Sequence, residues 1–359
     1  MNFKKWNKIF IIEVLVALIL AITFVVIIDP FFHFHKPVQG LYYTLTNERY
    51  VNNGILRHFE YDAVITGTSM TENFKTSEAQ KVFGGNPVKV PFSGGSFKEM
   101  NDNIASAYKY GHQLKYVIRA LDSYNLTKPA NDMRNDLGTY PTYLYNDYLW
   151  DDFFYIFNKD AVNLCFKTLK ETIKKGHGGF TDFDEYANWN AHYTFDAETV
   201  LGKRREFHKP EKIAVLSSKE KENLRENIWK NVVALAENHP ETTFYYFFPP
   251  YSIVYWGSAY ENGQIKKNIE AERLAIEMIL ECPNIKLYSF NLLTDITTDL
   301  SNYKDSIHYG EWVNDMILHW MKQDIGRLTK DNYQDYLEKE YQYYDNYQYN
   351  KVFEQLKKK

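Results

Sequence analysis

Five short runs of β-branched and aromatic residues leave few architectures open to this chain. They are residues 63–66 (AVIT), 88–92 (VKVPF), 115–121 (KYVIRAL), 243–248 (TFYYFF) and 285–290 (IKLYSF). Each closes on a loop and is followed by a stretch of helical character, at 98–110, 217–238, 268–282 and 311–325 among others. Runs that are apolar on both sides suit strands buried on two faces, and a helix between successive strands makes their pairing parallel. The expectation is an α/β chain with a five-stranded parallel sheet covered by helices on both faces. In such sheets, functional groups collect on the loops at the carboxyl edge of the strands.

Two of those loops carry chemistry. Residues 61–74 read YDAVITGTSMTENF, so Ser69 follows the first strand on a sharp turn into helix. A serine hydroxyl needs a base to remove its proton. Residues 303–309, YKDSIHY, supply Asp305 and His308 three apart on one turn before the last long helix. An imidazole facing the serine, with a carboxylate behind it, fixes the tautomer and stabilises the imidazolium as it forms. Asp295 and Asp299 are alternative acids, but both precede this turn and lack its spacing to His308. Read singly, Gly-Thr-Ser also fits a helix N-cap and Asp305 a cap for the following helix. The two motifs together favour a triad.

Gly-Thr-Ser after a first strand, with Asp-x-x-His before a last helix, resembles the SGNH (GDSL-like) hydrolases and acyltransferases. The resemblance covers residues 61–325 and implies a three-layer, flavodoxin-like order and an acyl-enzyme on Ser69, with His308 as base and Asp305 orienting it. It also implies an oxyanion hole made by the Ser69 N–H and a second-motif glycine, either Gly94 or Gly95 of Ser93-Gly94-Gly95-Ser96, with Gly95 preferred. The family's third motif, Gly-x-Asn-Asp, is not present. Asp122 falls at that place with Asn125 close by, and a carboxylate is a poor donor to an oxyanion unless protonated. In this the chain resembles the membrane-anchored branch associated with cell-surface polymers, which includes the D-alanyl transfer protein of teichoic acid synthesis and alginate acetylation proteins. The resemblance implies a serine esterase or O-acyltransferase acting on an acylated cell-envelope polysaccharide or polymer. The alternative is a non-catalytic binding or assembly partner of a membrane O-acyltransferase.

The anchor is read from the residues. Residues 9–28 are apolar but for Glu13, and twenty helical residues span about 30 Å, the thickness of a bilayer core. Lys4, Lys5 and Lys8 precede the run, which favours an N-terminus in the cytoplasm and the rest of the chain outside the membrane. A cleaved signal peptide is the alternative, but the run is long for one and no small-x-small site precedes Asp29. The expected organisation is therefore a cytoplasmic segment (1–8), a single-pass anchor in the cell membrane (9–28), a juxtamembrane linker and helix (29–60), an SGNH-like domain (61–325) and a tail (326–359). An aromatic-rich insertion interrupts the domain at 128–215. His33 and His35 read as interfacial, since one pair supplies too few metal ligands. The insertion's aromatics, and Trp189 with His192, read first as packing, with a stacking surface for sugar or acyl groups and a contact with a membrane partner as the alternatives. Tyr251 and Ser252, after the fourth strand, are candidate substrate contacts.

Composition excludes other classes. The net charge is -4, against the basic footprint that nucleic-acid binding needs. There is no CxxC, HExxH or P-loop lysine motif, so neither a metal nor a cofactor is expected. Spacing gives no disulfide between Cys165 and Cys282.

Overall fold

The computed structural model describes residues 3–136 and 140–357. Lys358 and Lys359 of the basic C-terminus lie outside the described residues, as do positions 1–2 of the N-terminal segment and 137–139 of the insertion. The chain divides into two compact units, one made of residues 1–60 and 137–182, the other of 61–136 and 183–359. The expected insertion is thus split. Its middle part folds with the N-terminal segment, and residues 183–215 fold with the sheet.

The first unit begins with the helix Phe3–Ile28, which is long and apolar enough to cross a membrane. Its 26 residues stop at Asp29-Pro30. Asp29 adopts a positive φ of 47°, and its carboxylate accepts from the N–H groups of His33, Phe34 and His35 and from the Tyr155 hydroxyl. Two orphan carbonyls of the last turn also find donors: Ile28 takes the Tyr43 hydroxyl at 2.8 Å, and Val26 lies 2.8 Å from His35 Nε2. His33 is buried and bonds Asp152 through Nε2 at 2.8 Å. The His35 ring thus fastens the helix end, and the His33 ring ties the segment after it to Asp152. Two short parallel strands, β1 (Tyr42–Tyr43) and β5 (Gly179–Phe180), and the helices Glu48–His58 and Lys159–Lys175 complete this unit.

The second unit is built on a six-stranded sheet. Its strands are β2 (Ala63–Thr66), β3 (Pro87–Lys89), β4 (Tyr116–Ala120), β6 (Thr243–Phe248), β7 (Ile285–Ser289) and β8 (Arg327–Leu328), in the order β3-β2-β4-β6-β7-β8. The first five pair in parallel and β8 pairs antiparallel with β7. The parallel five are the expected five; the second covers Pro87–Lys89 rather than 88–92, and the others differ by at most a residue at either end. The sixth strand is only two residues long, too short to carry a period-2 pattern.

Alternation along the strands sorts the two faces. Ala63 and Ile65, Tyr116, Ile118 and Ala120 share a core with Ala79, Val313 and Ile317 of the helices Thr76–Phe83 and Glu311–Lys322. Arg119 points to the other face. It is fully buried, donates to the carbonyls of Phe97 and Asn231, and lies 5.0 Å from the Phe97 ring centroid. Helix Phe97–Lys109 and the segment from Ser218 to Asn238, which widens to a π turn at Trp229–Val233, therefore cover that side. The tail folds back as the helix Tyr333–Asn346. It buries Leu337 and Tyr344, the latter stacked on Trp256 at 4.0 Å.

That tail also buries a carboxylate pair. Glu272 accepts from the Ser123 hydroxyl at 2.9 Å, and Glu340 accepts from the Asn291 amide at 2.6 Å. The second oxygen of each has no partner among the described residues. Burial pushes the Glu272 carboxyl up to about 7, and burial together with the charge of Glu272 pushes Glu340 up. Acids raised in the folded state favour folding below their ordinary value near 4.5 and lose that contribution as pH rises through about 7. Wild-type Tm should therefore fall between about pH 5.5 and pH 8, and Glu340→Gln should flatten the fall and raise Tm at the higher pH. A thermal unfolding series with the same slope in both proteins would refute this.

Candidate functional site

The site begins where β2 ends. Gly67 leaves the strand with a φ of 152°, and a Cβ there would lie 2.5 Å from Thr71 Cγ2 and 3.2 Å from the Ala120 Cβ. Only glycine lets the chain turn this tightly against β4. Residues Ser69–Thr71 then form one tight helical turn, capped by Thr68. Two groups pin it from the helix Glu311–Lys322 and the turn before it: the Asn314 amide donates to the Met70 carbonyl at 2.9 Å, and the Tyr309 hydroxyl donates to the same oxygen at 3.5 Å. Ser69 is thereby held at the carboxyl edge, partly open to solvent.

The second piece is the turn before that helix. Its ends are closed by the Tyr303–Tyr309 bridge and by Gly310 N–H donating to Asn302. The loop after β6 buttresses it. Ser252 donates through N–H and Oγ to the Ser306 carbonyl, and the Tyr303 hydroxyl donates to Pro250 at 2.7 Å. Inside the turn, Asp305 Oδ1 accepts from the N–H groups of Ile307 and His308, both at 2.9 Å. This is an Asx turn, in which one carboxylate oxygen shapes the backbone and frees the other. Asp305 is therefore not the cap of the next helix, which starts at Glu311 behind Gly310.

The two pieces meet. Ser69 Oγ lies 2.7 Å from His308 Nε2, and His308 Nδ1 lies 2.7 Å from Asp305 Oδ2. Burial alone would raise the Asp305 carboxyl. The hydrogen bond to His308, its charge and the two backbone N–H groups outweigh that and hold Asp305 down at about 2. An ionised Asp305 accepts the Nδ1 proton and leaves the Nε2 lone pair for the serine hydroxyl. Asp295 and Asp299 make no bond to this histidine; Asp299 caps the turn at Ser301.

Of the two candidate glycines, Gly95 donates its N–H to the Phe92 carbonyl at 2.6 Å and is buried. Gly94 occupies the positive-φ corner of that turn, at 59°. Its N–H, like that of Ser69, takes no acceptor among the described residues. The open backbone donors of this edge are therefore Ser69 and Gly94, while the Gly95 N–H is taken up by its own turn. Sequence spacing cannot separate adjacent glycines; only the turn's own hydrogen bond does.

Asp122, expected as an oxyanion or substrate contact, is fully buried. It accepts from Thr68 Oγ1 at 2.8 Å and from the Tyr251 hydroxyl at 2.6 Å, so both oxygens are used as acceptors. Burial pushes its carboxyl up, and the two hydroxyls oppose this. Its place is to tie the Ser69 turn to the loop after β6, not to donate to a substrate. Asn125 donates its amide to the Gly95 carbonyl at 2.9 Å, which props the glycine turn. Tyr251 and Ser252 are buried and serve the scaffold.

One wall of the site lies in residues 183–196. The Trp189 ring stands edge-on to the His308 ring, with centroids 5.6 Å apart at 88°. Asn73, four residues past the serine, accepts the Trp189 backbone N–H at 3.0 Å, and Asn190 caps the helix at Glu311. Lys304 sits against this wall. Its Nζ is 4.3 Å from the Trp189 centroid, 3.7 Å from that of Tyr193 and 4.0 Å from Asp305 Oδ2. Lys304 gave no signal in the sequence, since a lone lysine on a loop reads as solvated. If the Ser69–His308 pair turns over an ester, Trp189→Ala should lower kcat/KM roughly 10- to 100-fold by loosening the imidazole, while Trp189→Phe keeps most of it. Equal losses in both variants would mean the ring does not position His308.

Two cavities of about 700 and 640 Å³ lie elsewhere in this unit, and no triad residue lines either. No protein-family model matches the chain, and no curated protein matches it.

Proposed function

We propose that this chain is a membrane-anchored serine esterase or O-acyltransferase of the SGNH type, with its second unit outside the cell membrane. The observation that carries the reading is the unbroken relay Ser69–His308–Asp305, with both links at 2.7 Å. The strand order supports it as well: in sequence rank the five parallel strands run 2-1-3-4-5, the flavodoxin-like order, and Ser69 and Asp122 follow the two strands at its switch point.

In this reading Ser69 Oγ attacks an acyl carbonyl as His308 Nε2 takes its proton. The oxyanion that forms is stabilised by the N–H groups of Ser69 and Gly94. Removing one such donor raises a barrier by on the order of 3 kcal/mol. The tetrahedral intermediate collapses as His308 returns the proton to the leaving oxygen, giving an acyl-Ser69 ester. Water or a polymer hydroxyl then attacks that ester, with His308 again the base. A partly exposed serine, lining neither cavity, suits an acyl group borne on a large cell-envelope glycan or polymer better than a small enclosed ligand.

The second reading, a non-catalytic partner of a membrane O-acyltransferase, has one observation in its favour. The amide close to the third-motif position, Asn125, is spent on the Gly95 carbonyl, and Asp122 at that position is an acceptor. Labelling separates the two. A fluorophosphonate probe should give one adduct, mapped by mass spectrometry to Ser69. A folded protein that takes no label would favour the non-catalytic partner.

A further inference from the structure

The first unit carries apolar side chains that its own core does not use. Helix Lys159–Lys175 divides into three sectors at roughly 100° per residue. Ala161, Cys165 and Thr168 face inward and are buried. Beside them runs a second apolar stripe, Val162, Phe166, Leu169 and Ile173, at the i, i+4, i+7, i+11 spacing of one helix face. It points outward, with Phe166 59% and Ile173 83% exposed. Next to that stripe lie Lys159, Lys167, Lys170 and Lys174. The segment before the helix adds Trp150 at 90% exposure and Phe153, Phe154 and Phe157, each about half exposed. A helix folded only for a water-facing surface has no use for a second stripe.

The position of the stripe identifies what covers it. Residues 3–23 of the helix Phe3–Ile28 are exposed throughout, and burial starts at Phe24. Filling a hydrocarbon layer of about 30 Å with apolar residues requires the whole of 9–28, because Lys8 stands at the other end. The last turn, residues 24–28, then lies at the edge of the hydrocarbon. Phe166 packs on that turn, its ring 4.9 Å from the ring of Phe24. The outward stripe is therefore continuous with the membrane-crossing surface and sits at headgroup depth. There an apolar face buries itself about 5–10 Å, flanking lysines meet anionic headgroups, and tryptophan is favoured.

We propose that the first unit makes a second, monotopic contact with the bilayer through the 166/169/173 stripe and the aromatic segment at 150–157. This rests on the reading of Phe3–Ile28 as a membrane span. The partner is a lipid surface, with the lysine sector favouring an anionic one. Such a contact fixes the first unit against the membrane plane, where a single helix alone would leave it free to tilt.

The test uses the full chain in nanodiscs of mixed zwitterionic and anionic lipid, so that no other protein is present. Single cysteines replace Leu20 (span), Ile173 and Phe154 (proposed contact) and Asn163 (polar side), each carrying an environment-sensitive fluorophore. The native Cys165 and Cys282 are buried. Expected is loss of fluorescence from nitroxide lipids at Leu20, Ile173 and Phe154, by headgroup-proximal nitroxides at the last two, and iodide quenching only at Asn163. Quenching by lipid at Leu20 with iodide access at Ile173 and Phe154 would keep the span and overturn the contact. Protection of Ile173 from both quenchers would assign the stripe to a second copy of the chain instead. No lipid quenching at Leu20 would remove the span and the proposal with it.

Discussion

Ser69→Ala should abolish turnover of an activated ester, with a loss of roughly 10⁵- to 10⁶-fold in kcat, and should leave the fold intact. The substitution removes one oxygen from a partly exposed side chain whose only bond among the described residues is to His308, so little packing is lost. His308→Ala should cost about as much, and the double substitution scarcely more than either. Residues that act as one unit behave this way, because once the proton acceptor or the nucleophile is gone the other has nothing left to do. The measurement is a kinetic cycle with p-nitrophenyl acetate on wild type, both single variants and the double. Losses that multiply would mean the two side chains act separately, and full activity in Ser69→Ala would place the chemistry elsewhere. In the proposed mechanism, the residual rate of the variants would report what the Ser69 and Gly94 N–H groups contribute without a nucleophile.

The parallel core was legible because each strand is a short apolar run between a helix and a turn, and period and length identify such runs. Ser69, His308 and Asp305 were legible for a different reason. They lie on the two loops whose residue types have few structural substitutes, a glycine-led turn after a strand and an Asx turn holding a histidine. What the sequence hid is what depends on exact hydrogen bonding. Gly94 and Gly95 are neighbours in one turn, and which N–H that turn consumes shows only in three dimensions. Asp122 looked available because its two hydroxyl donors, Thr68 and Tyr251, come from loops far apart in the chain. Trp189 read as one aromatic among many, and its place beside His308 is set by Asn73, more than a hundred positions away. The sharing of the insertion between the two units was not legible because its parts are all rich in aromatics. What separates them is the surface each buries, and a single chain does not display that in one dimension.

Asp305→Asn should lower kcat/KM by about 10⁴-fold at neutral pH with little change in KM. The asparagine can keep the Asx turn, because its carbonyl oxygen still accepts from the N–H groups of Ile307 and His308. The atom facing Nδ1 becomes an amide nitrogen, a donor where an acceptor is needed. The imidazole must then present Nδ1 as acceptor and carry its proton on Nε2, the atom that should take one from Ser69. The effect is a wrong tautomer in the right geometry, which distinguishes this variant from Asp305→Ala, where the turn itself is released. Stability should change in the same experiment. A carboxyl held near 2 contributes stability above its ordinary value near 3.8, and wild type loses that contribution as pH falls through about 2. Asp305→Asn should therefore be less stable than wild type at neutral pH, and the gap should close as both are taken to low pH. Thermal unfolding at both ends of that range measures it. A gap that stays constant with pH would show that the carboxylate is not held by His308, and with it would go the acid of the triad.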